Sequence, residues 1–388
     1  MDRPRTDLLS LRLRKPYLCS LMAFLSLGMC TCGYSVLVLS PASFALYRDM
    51  SASTLQQETI TAVFPLGAMV GCLVATLISD GKGRRTALVT GNCIAVVAGL
   101  VMSQAYSAFQ LIVGRLGSGL GIGMLSAVSP VFVAELVPPM YRGACLSVLG
   151  FLWIIGQIGS LLAAWALGEQ WRWLLGLSAV PGLVQIAALL TLIPESPRWL
   201  YQRGREHEAI EAMKQFYEGS DIEKSQRLQG EIQGIKAEIA LQGESQLAER
   251  LIEIATMYRS RLLTVCAFMI CVPAGGLAAV SLYSAQIMDS AGFSFGKGPI
   301  LSSILLFSLS LLATGVAIKV IDRVGRRWIL LLTLPFQVLS MLLMALGMST
   351  ESRWLCLISL ISYLCFVSVG SCPMMGIMAP ELFPVTST

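Results

Sequence analysis

Residues 79–85 read SDGKGRR and residues 321–327 read IDRVGRR, one basic turn written twice at a distance of 242 residues. In each copy an acid comes first (Asp80, Asp322), a glycine follows (Gly83, Gly325), and a pair of arginines closes the turn (Arg84 and Arg85, Arg326 and Arg327). Each turn ends one long apolar run and opens another, so its charges sit where a membrane-crossing helix meets water. A second pair of stretches matches in the same way: AELVPPMYR at 134–142 and PELFPVTST at 380–388. The interval from Asp80 to Glu135 is 55 residues and that from Asp322 to Glu381 is 59. Two parallel copies of one multi-span unit give this spacing, and such copies are the mark of a repeat-built membrane transporter.

The composition outside these turns leads to the same class. Hydrophobic residues make up 55% of the 388-residue chain and charged ones 13%, and the mean hydropathy of +0.71 lies outside the range of soluble domains. Ten predominantly apolar windows reach the roughly 20 residues that a helix needs to cross a bilayer: 17–38, 59–79, 86–105, 109–134, 144–168, 172–193, 262–288, 299–320, 328–349 and 354–379. These runs are apolar all round, whereas the strands of a membrane barrel alternate. The expected fold is therefore an all-α membrane protein. Residues 1–16 read as a basic tail, 17–199 as a six-helix amino-terminal bundle, 200–258 as a charged helical linker, and 259–388 as an incomplete, four-helix carboxyl-terminal bundle. The first run is longer than a signal-peptide core, so it is expected to stay as a helix.

Orientation follows from the short loops. Arg3, Arg5, Arg12, Arg14, Lys15, Lys82, Arg84, Arg85, Arg142, Arg323, Arg326 and Arg327 fall on one side, against Arg48, Arg172, Lys297 and Arg353 on the other. The excess places the amino terminus in the cytosol. The near balance of charge in the linker speaks against nucleic acid as a partner. The eleven cysteines lie in or beside apolar runs without metal-ligand spacing, so no metal, disulfide framework or cofactor is expected. No nucleophile or paired carboxylates stand within the spans, so an enzyme is not expected either.

Within this frame the charged residues suggest latches. Asp80 stands at a helix carboxyl end, where an acid is favoured only if a cation bridges to it. Glu135 and Arg142 are placed to pair across Pro138 and Pro139. Arg115 lies inside the fourth span, where a charge is costly and normally paired. In GRLGSGLGIG (114–123), Gly117 and Gly121 share one helix face and Gly119 and Gly123 another, which predicts close helix packing. Pro130, Pro181, Pro273 and Pro373 fall inside spans, where broken helices line cavities.

Taken in order, SDGKGRR, VGRLGSGLGIG, AELVPPMYRG, WRWLLGLSAVPG, PESPRWL, LYSAQIMDSAG, IDRVGRR and PELFP resemble the signatures of the sugar porter family of the major facilitator superfamily, which includes facilitative glucose, trehalose and inositol transporters. The resemblance spans nearly the whole chain. It implies two six-helix bundles around a central sugar site, alternating access, and two further spans beyond residue 388 to complete the second copy. It also implies a cytosolic charge network of Asp80, Arg84, Arg85, Arg115, Glu135, Arg142, Glu195, Arg198, Asp322, Arg326, Arg327 and Glu381.

The departures from the family pattern fall on the sugar contacts. Positions where the family carries amides or tryptophan hold Gly150, Val272, Pro273, Ala278, Ser310 and Gly376, and Asn92 is the only asparagine in the chain. The lining expected in their place is Tyr34, Ser35, Trp153, Gln157, Tyr283 and Ser310. Proton-driven relatives carry an acid in the first span after Gly-Tyr, where this chain has Ser35, and no Asp, Glu or His lies at mid-depth in a span. The expected activity is facilitated, uniport-like movement of a sugar, polyol or similar small solute through a lipid bilayer, the plasma membrane by default. The alternatives are a relative that senses a solute without moving it, or an inactive fragment. Oligomeric state is not legible in the sequence.

Overall fold

The computed structural model describes residues 14–137, 139–216, 228–229, 232–234, 236, 259–293 and 297–374. Among these there is no strand. The first half consists of α1 (Lys15–Leu37), α2 (Leu39–Met50), α3 (Thr54–Lys82), α4 (Arg84–Ser103), α5 (Ala108–Leu136), α6 (Pro139–Leu167), α7 (Trp171–Gly176) and α8 (Ala179–Thr191). Two short helices follow, α9 (Pro197–Gln202) and α10 (Glu206–Lys214). The second half contains α11 (Arg259–Val272), α12 (Ala278–Ser290), α13 (Gly298–Val324), α14 (Arg326–Ser349) and α15 (Arg353–Phe366).

Ten stretches of these helices are long and apolar enough to cross a membrane, and each overlaps one of the windows read from the sequence. Their outward faces carry bare aliphatic side chains: Leu73 is 67% exposed, Leu77 72% and Leu342 64%. Water would not tolerate a belt of that kind, whereas lipid tails do.

Local chemistry sets the helix ends. Ser53 accepts a hydrogen bond from the Gln56 N–H and the Gln56 side chain accepts one from the Ser53 N–H, a capping box that starts α3. Ser107 caps α5 through the Gln110 N–H. The twice-written turn has the same backbone in both copies. Gly83 joins α3 to α4 at φ 101°, ψ 160°, and Gly325 joins α13 to α14 at φ 86°, ψ 150°, a region that side chains with a Cβ avoid. The repeat seen in the sequence is thus a repeat of conformation.

The glycine faces of α5 work as the spacing predicts. A Cβ on Gly119 would lie 2.1 Å from the Phe64 carbonyl oxygen, and one on Gly123 2.1 Å from that of Ala68, so this face lies directly on α3. Gly121 turns the other way, where a Cβ would come 2.6 Å from the Gly91 oxygen of α4. On α1, Gly33 has the tightest approach: a Cβ there would fall 1.8 Å from the Trp153 oxygen of α6. Backbone contact at this range is how helices associate without a hydrophobic driving force between them.

The prolines expected to break spans act unequally. α5 runs unbroken through Pro130. The sixth span is divided between α7 and α8 at Leu177 and Ser178, just ahead of Pro181. Pro273 opens a π-helical segment (Pro273–Leu277) in which Gly276 has φ 101°, and Tyr283, further along the same span, also leaves helical geometry. A second π segment (Val367–Ser371) precedes Pro373 in the tenth span. All eleven cysteines are free thiols.

Candidate functional site

A cluster of charged groups lies at one end of the first half, and a second, polar set bridges the halves. The first cluster is built around Arg84, whose side chain is only 10% exposed. Its Nε donates to Glu135 Oε2 at 2.9 Å and its Nη2 to Glu135 Oε1 at 3.0 Å, so one edge of the guanidinium holds both carboxylate oxygens. Nη1 donates to the Ser79 carbonyl oxygen (3.1 Å) and to Asp80 Oδ1 (3.2 Å). The acid and the arginine of the basic turn therefore do bridge, one helical turn apart across Gly83.

Glu195 closes the cluster from the start of the PESPRWL stretch. It accepts from the backbone N–H groups of Arg84, Arg85 and Ser196, and the Ser196 hydroxyl donates to Glu135 Oε2 at 2.5 Å. Burial pushes the Glu195 carboxyl above its ordinary value, while the three N–H groups and the Arg84 charge draw it back. A Cβ on Gly83 would lie 2.3 Å from Glu195 Oε2, so this glycine is required twice, for its φ and for its neighbour. Trp199 Nε1 and Arg203 Nη2 both donate to the Asp80 carbonyl oxygen, which ties α9 to the end of α3. Arg85 Nη2 donates to the Leu190 carbonyl oxygen. A cavity of about 530 Å³ opens beside this clasp, and because its lining, with Lys82, Arg85, Leu190, Glu195 and Arg205, comes from the first half and the short helices that follow it, it is not a passage between the halves.

The Glu135–Arg142 pair expected from the sequence does not form. Arg142 on α6 is exposed, and Arg84 already engages both oxygens of Glu135. Arg115 stands apart from the clasp as well. It lies 20 residues before Glu135 on the same helix, about 30 Å along the axis at 1.5 Å per residue. Arg198 lies on α9 and Arg327 is exposed on α14. Asp322 and Arg326 belong to described helices, but their side chains lie outside the described set, and Glu381 lies outside the described residues.

The residues expected to line a solute site are distributed over several contacts. Trp153 and Gln157 stand one turn apart on α6, facing α1 at Gly33. Ser35 is 3% exposed, and its carbonyl oxygen accepts from Arg115 Nη1 at 3.0 Å. Tyr283 is partly exposed at the kink of α12. Tyr34 turns away from that group: its hydroxyl donates to the Leu174 carbonyl oxygen of α7 at 2.8 Å. Ser310 pairs with Ser368 at 2.6 Å, within the second half.

The bridging set was not legible in the sequence. Ser40 Oγ accepts from the Ala285 N–H (2.9 Å) and lies 3.4 Å from Ser284 Oγ, and Gln286 Nε2 donates to Ser43 Oγ at 2.8 Å. Lys297 Nζ donates to the Trp165 carbonyl oxygen. All of these lie at the end of the bundle away from Arg84. Serine and glutamine in an apolar run carry no signal of a partner some 240 residues away. Only the LYSAQ stretch pointed to the neighbourhood.

The family described as "Sugar (and other) transporter" matches residues 21–387. A probable inositol transporter of Arabidopsis thaliana is 32% identical over 333 residues, covering 84% of this chain and 57% of that protein. The glucose transporter GlcP of Staphylococcus epidermidis is 30% identical over 367 residues, covering 93% and 79% respectively. The chain thus spans little more than half the length of the plant relative. Among solved structures, the xylose transporter XylE from E. coli in a partially occluded inward open conformation superposes with a TM-score of 0.77 at 20% identity, over 94% of this chain and 89% of that one.

Proposed function

The chain belongs to the sugar (and other) transporter family, and from that premise we propose that it moves a sugar, polyol or similar polyhydroxylated solute across a membrane by rocking of two helical halves. The observation that carries this reading is that, among the described residues, the hydrogen bonds between the halves lie at one end, although α6 and α13 also pack against each other deeper in, where Phe151 meets Gly315. Ser40 and Ser43 meet Ser284, Ala285 and Gln286 at one end, whereas at the other end Arg84, Glu135 and Glu195 find their partners, among the described residues, in the first half or at the start of α9 just after it. Two bundles hydrogen-bonded at one end and free of such bonds at the other correspond to one extreme of an alternating-access cycle. With the amino terminus in the cytosol, the clasp faces inward and the serine bridge closes the outer side. The plasma membrane is the assigned location.

Movement is downhill in this reading. Ser35 stands where proton-driven relatives carry an acid, and the spans hold no Asp, Glu or His at mid-depth. The solute class follows from relatives named as inositol and glucose transporters. Trp153, Gln157 and Tyr283 are the side chains assigned to meet it, with Ser35 beside them.

Counterflow of labelled glucose and myo-inositol into proteoliposomes tests the proposal. Saturable exchange that is indifferent to an imposed proton gradient is expected. Flux that rises several-fold with an inward proton gradient would overturn the uniport assignment, and saturable binding without flux would turn the reading to a sensor.

A further inference from the structure

Arg115 is the most deeply buried cation among the described residues, 1% exposed, and it has no acidic partner there. Its Nη1 donates to the Ser35 carbonyl oxygen at 3.0 Å, and the Phe64 ring covers one face of the guanidinium at 4.4 Å. Its Nε and Nη2 are buried and meet no acceptor. These two nitrogens share one edge of the planar group, the edge whose parallel N–H bonds hold a carboxylate bidentately. On Arg84 that same edge grips both oxygens of Glu135. A carbonyl dipole and a ring face leave most of a full charge uncompensated in a low-dielectric interior, so the folded state gains by taking in an anion there.

We propose that the Nε/Nη2 edge of Arg115 is a binding site for a monovalent anion, either free chloride or the carboxylate of an acidic solute. Tyr47 lies within electrostatic reach of Arg115, and its hydroxyl donates to the Gln57 carbonyl oxygen at 3.4 Å, so a polar side chain flanks the guanidinium. The site lies about seven residues, or roughly 10 Å, into α5 from the end that carries the serine bridge. It depends on Arg115 and not on the transport reading, because binding is measurable without flux.

The test measures the Tm of the purified chain in detergent at constant ionic strength, with a bulky sulfonate exchanged stepwise for chloride, acetate or glucuronate. A saturable rise of about 2–4 °C is expected in the wild type. A response to chloride alone assigns free halide, and a response to acetate and glucuronate assigns a solute carboxylate. Arg115→Gln should lose the response. If that variant fails to fold, Ser35→Asp decides, since it keeps the guanidinium and supplies an internal carboxylate: its Tm should be higher and its anion response absent. A wild-type Tm identical in all salts, or an equal response in Arg115→Gln, overturns the proposal.

Discussion

Arg84 and Arg115 put the same side chain into the same half of the molecule, nearly buried in both cases at 8% and 1% exposure. At Arg84 the Nε/Nη2 edge meets Glu135, Nη1 meets Asp80, and Glu195 sits on the adjoining backbone. At Arg115 the corresponding edge meets no acceptor among the described residues. Arg84 lies at a helix end, where acids from three chain segments reach it without crossing the apolar layer. Arg115 lies within the layer, where any acid would itself have to be buried. The cation at the helix end serves as a structural rivet, and the cation inside the span is left available to something that comes and goes.

The largest effect that tests this contrast is the loss of Glu135. Glu135→Ala leaves Arg84 buried without its main counter-charge and is expected to destabilise the fold by about 3–5 kcal/mol. Replacing both partners with methionine should recover much of that loss, as read by thermal unfolding in detergent. If Glu135→Ala were as stable as wild type, Arg84 would not be the rivet described. Next in size is Gly33→Ala, whose Cβ would meet the Trp153 backbone at 1.8 Å and push α1 away from α6, taking the Ser35 carbonyl with it. A cost of about 1–3 kcal/mol is expected, together with a weaker anion response. Gly150→Ala, which meets nothing within 4 Å, is the matched control and should be silent.

A smaller effect concerns pH. Burial raises the Glu195 carboxyl above its ordinary value near 4.5, so the native chain binds this proton more tightly than the unfolded one. The corresponding stability is fully present below the unfolded value and is lost as pH rises through the raised folded value. Tm profiles of wild type and Glu195→Gln, measured upward from about pH 4, should differ by the absence of this decline in the variant. The smallest effect is expected at the other end of the molecule. Arg48 and Glu169 pair at 2.7 Å, and the pairing holds the Glu169 carboxyl below its ordinary range, but both side chains are largely exposed. Glu169→Gln should leave Tm unchanged at physiological salt. A marked loss there would show that exposure does not separate rivets from ornaments in this protein.

The helices and their turns were legible because each is decided by neighbours in sequence. An apolar run of membrane length must satisfy its own backbone, so the ten spans follow from composition, and the glycine turns follow from the φ values that a Cβ forbids. The spacing of Gly119 and Gly123 announced a packing face before its partner was known. The candidate site was less legible. The Asp80–Arg84 bridge is local and was expected, whereas Glu135 was matched with Arg142, seven residues away, when its partner is Arg84, 51 residues back. Tyr34 was expected beside a solute and instead donates to Leu174, a contact across 140 residues.

Sequence alone therefore determined that this chain crosses a membrane in helices, that its two halves repeat one plan, and where its charges meet the interface. Tertiary structure alone decided which acid holds which arginine, that Arg115 has none among the described residues, and that hydrogen bonds join the halves through Ser40, Ser43, Ser284 and Gln286 at one end. The cost of unpaired backbone in hydrocarbon acts on every residue of a span and is written in composition, whereas an ion pair depends on which faces of distant helices come to lie against each other.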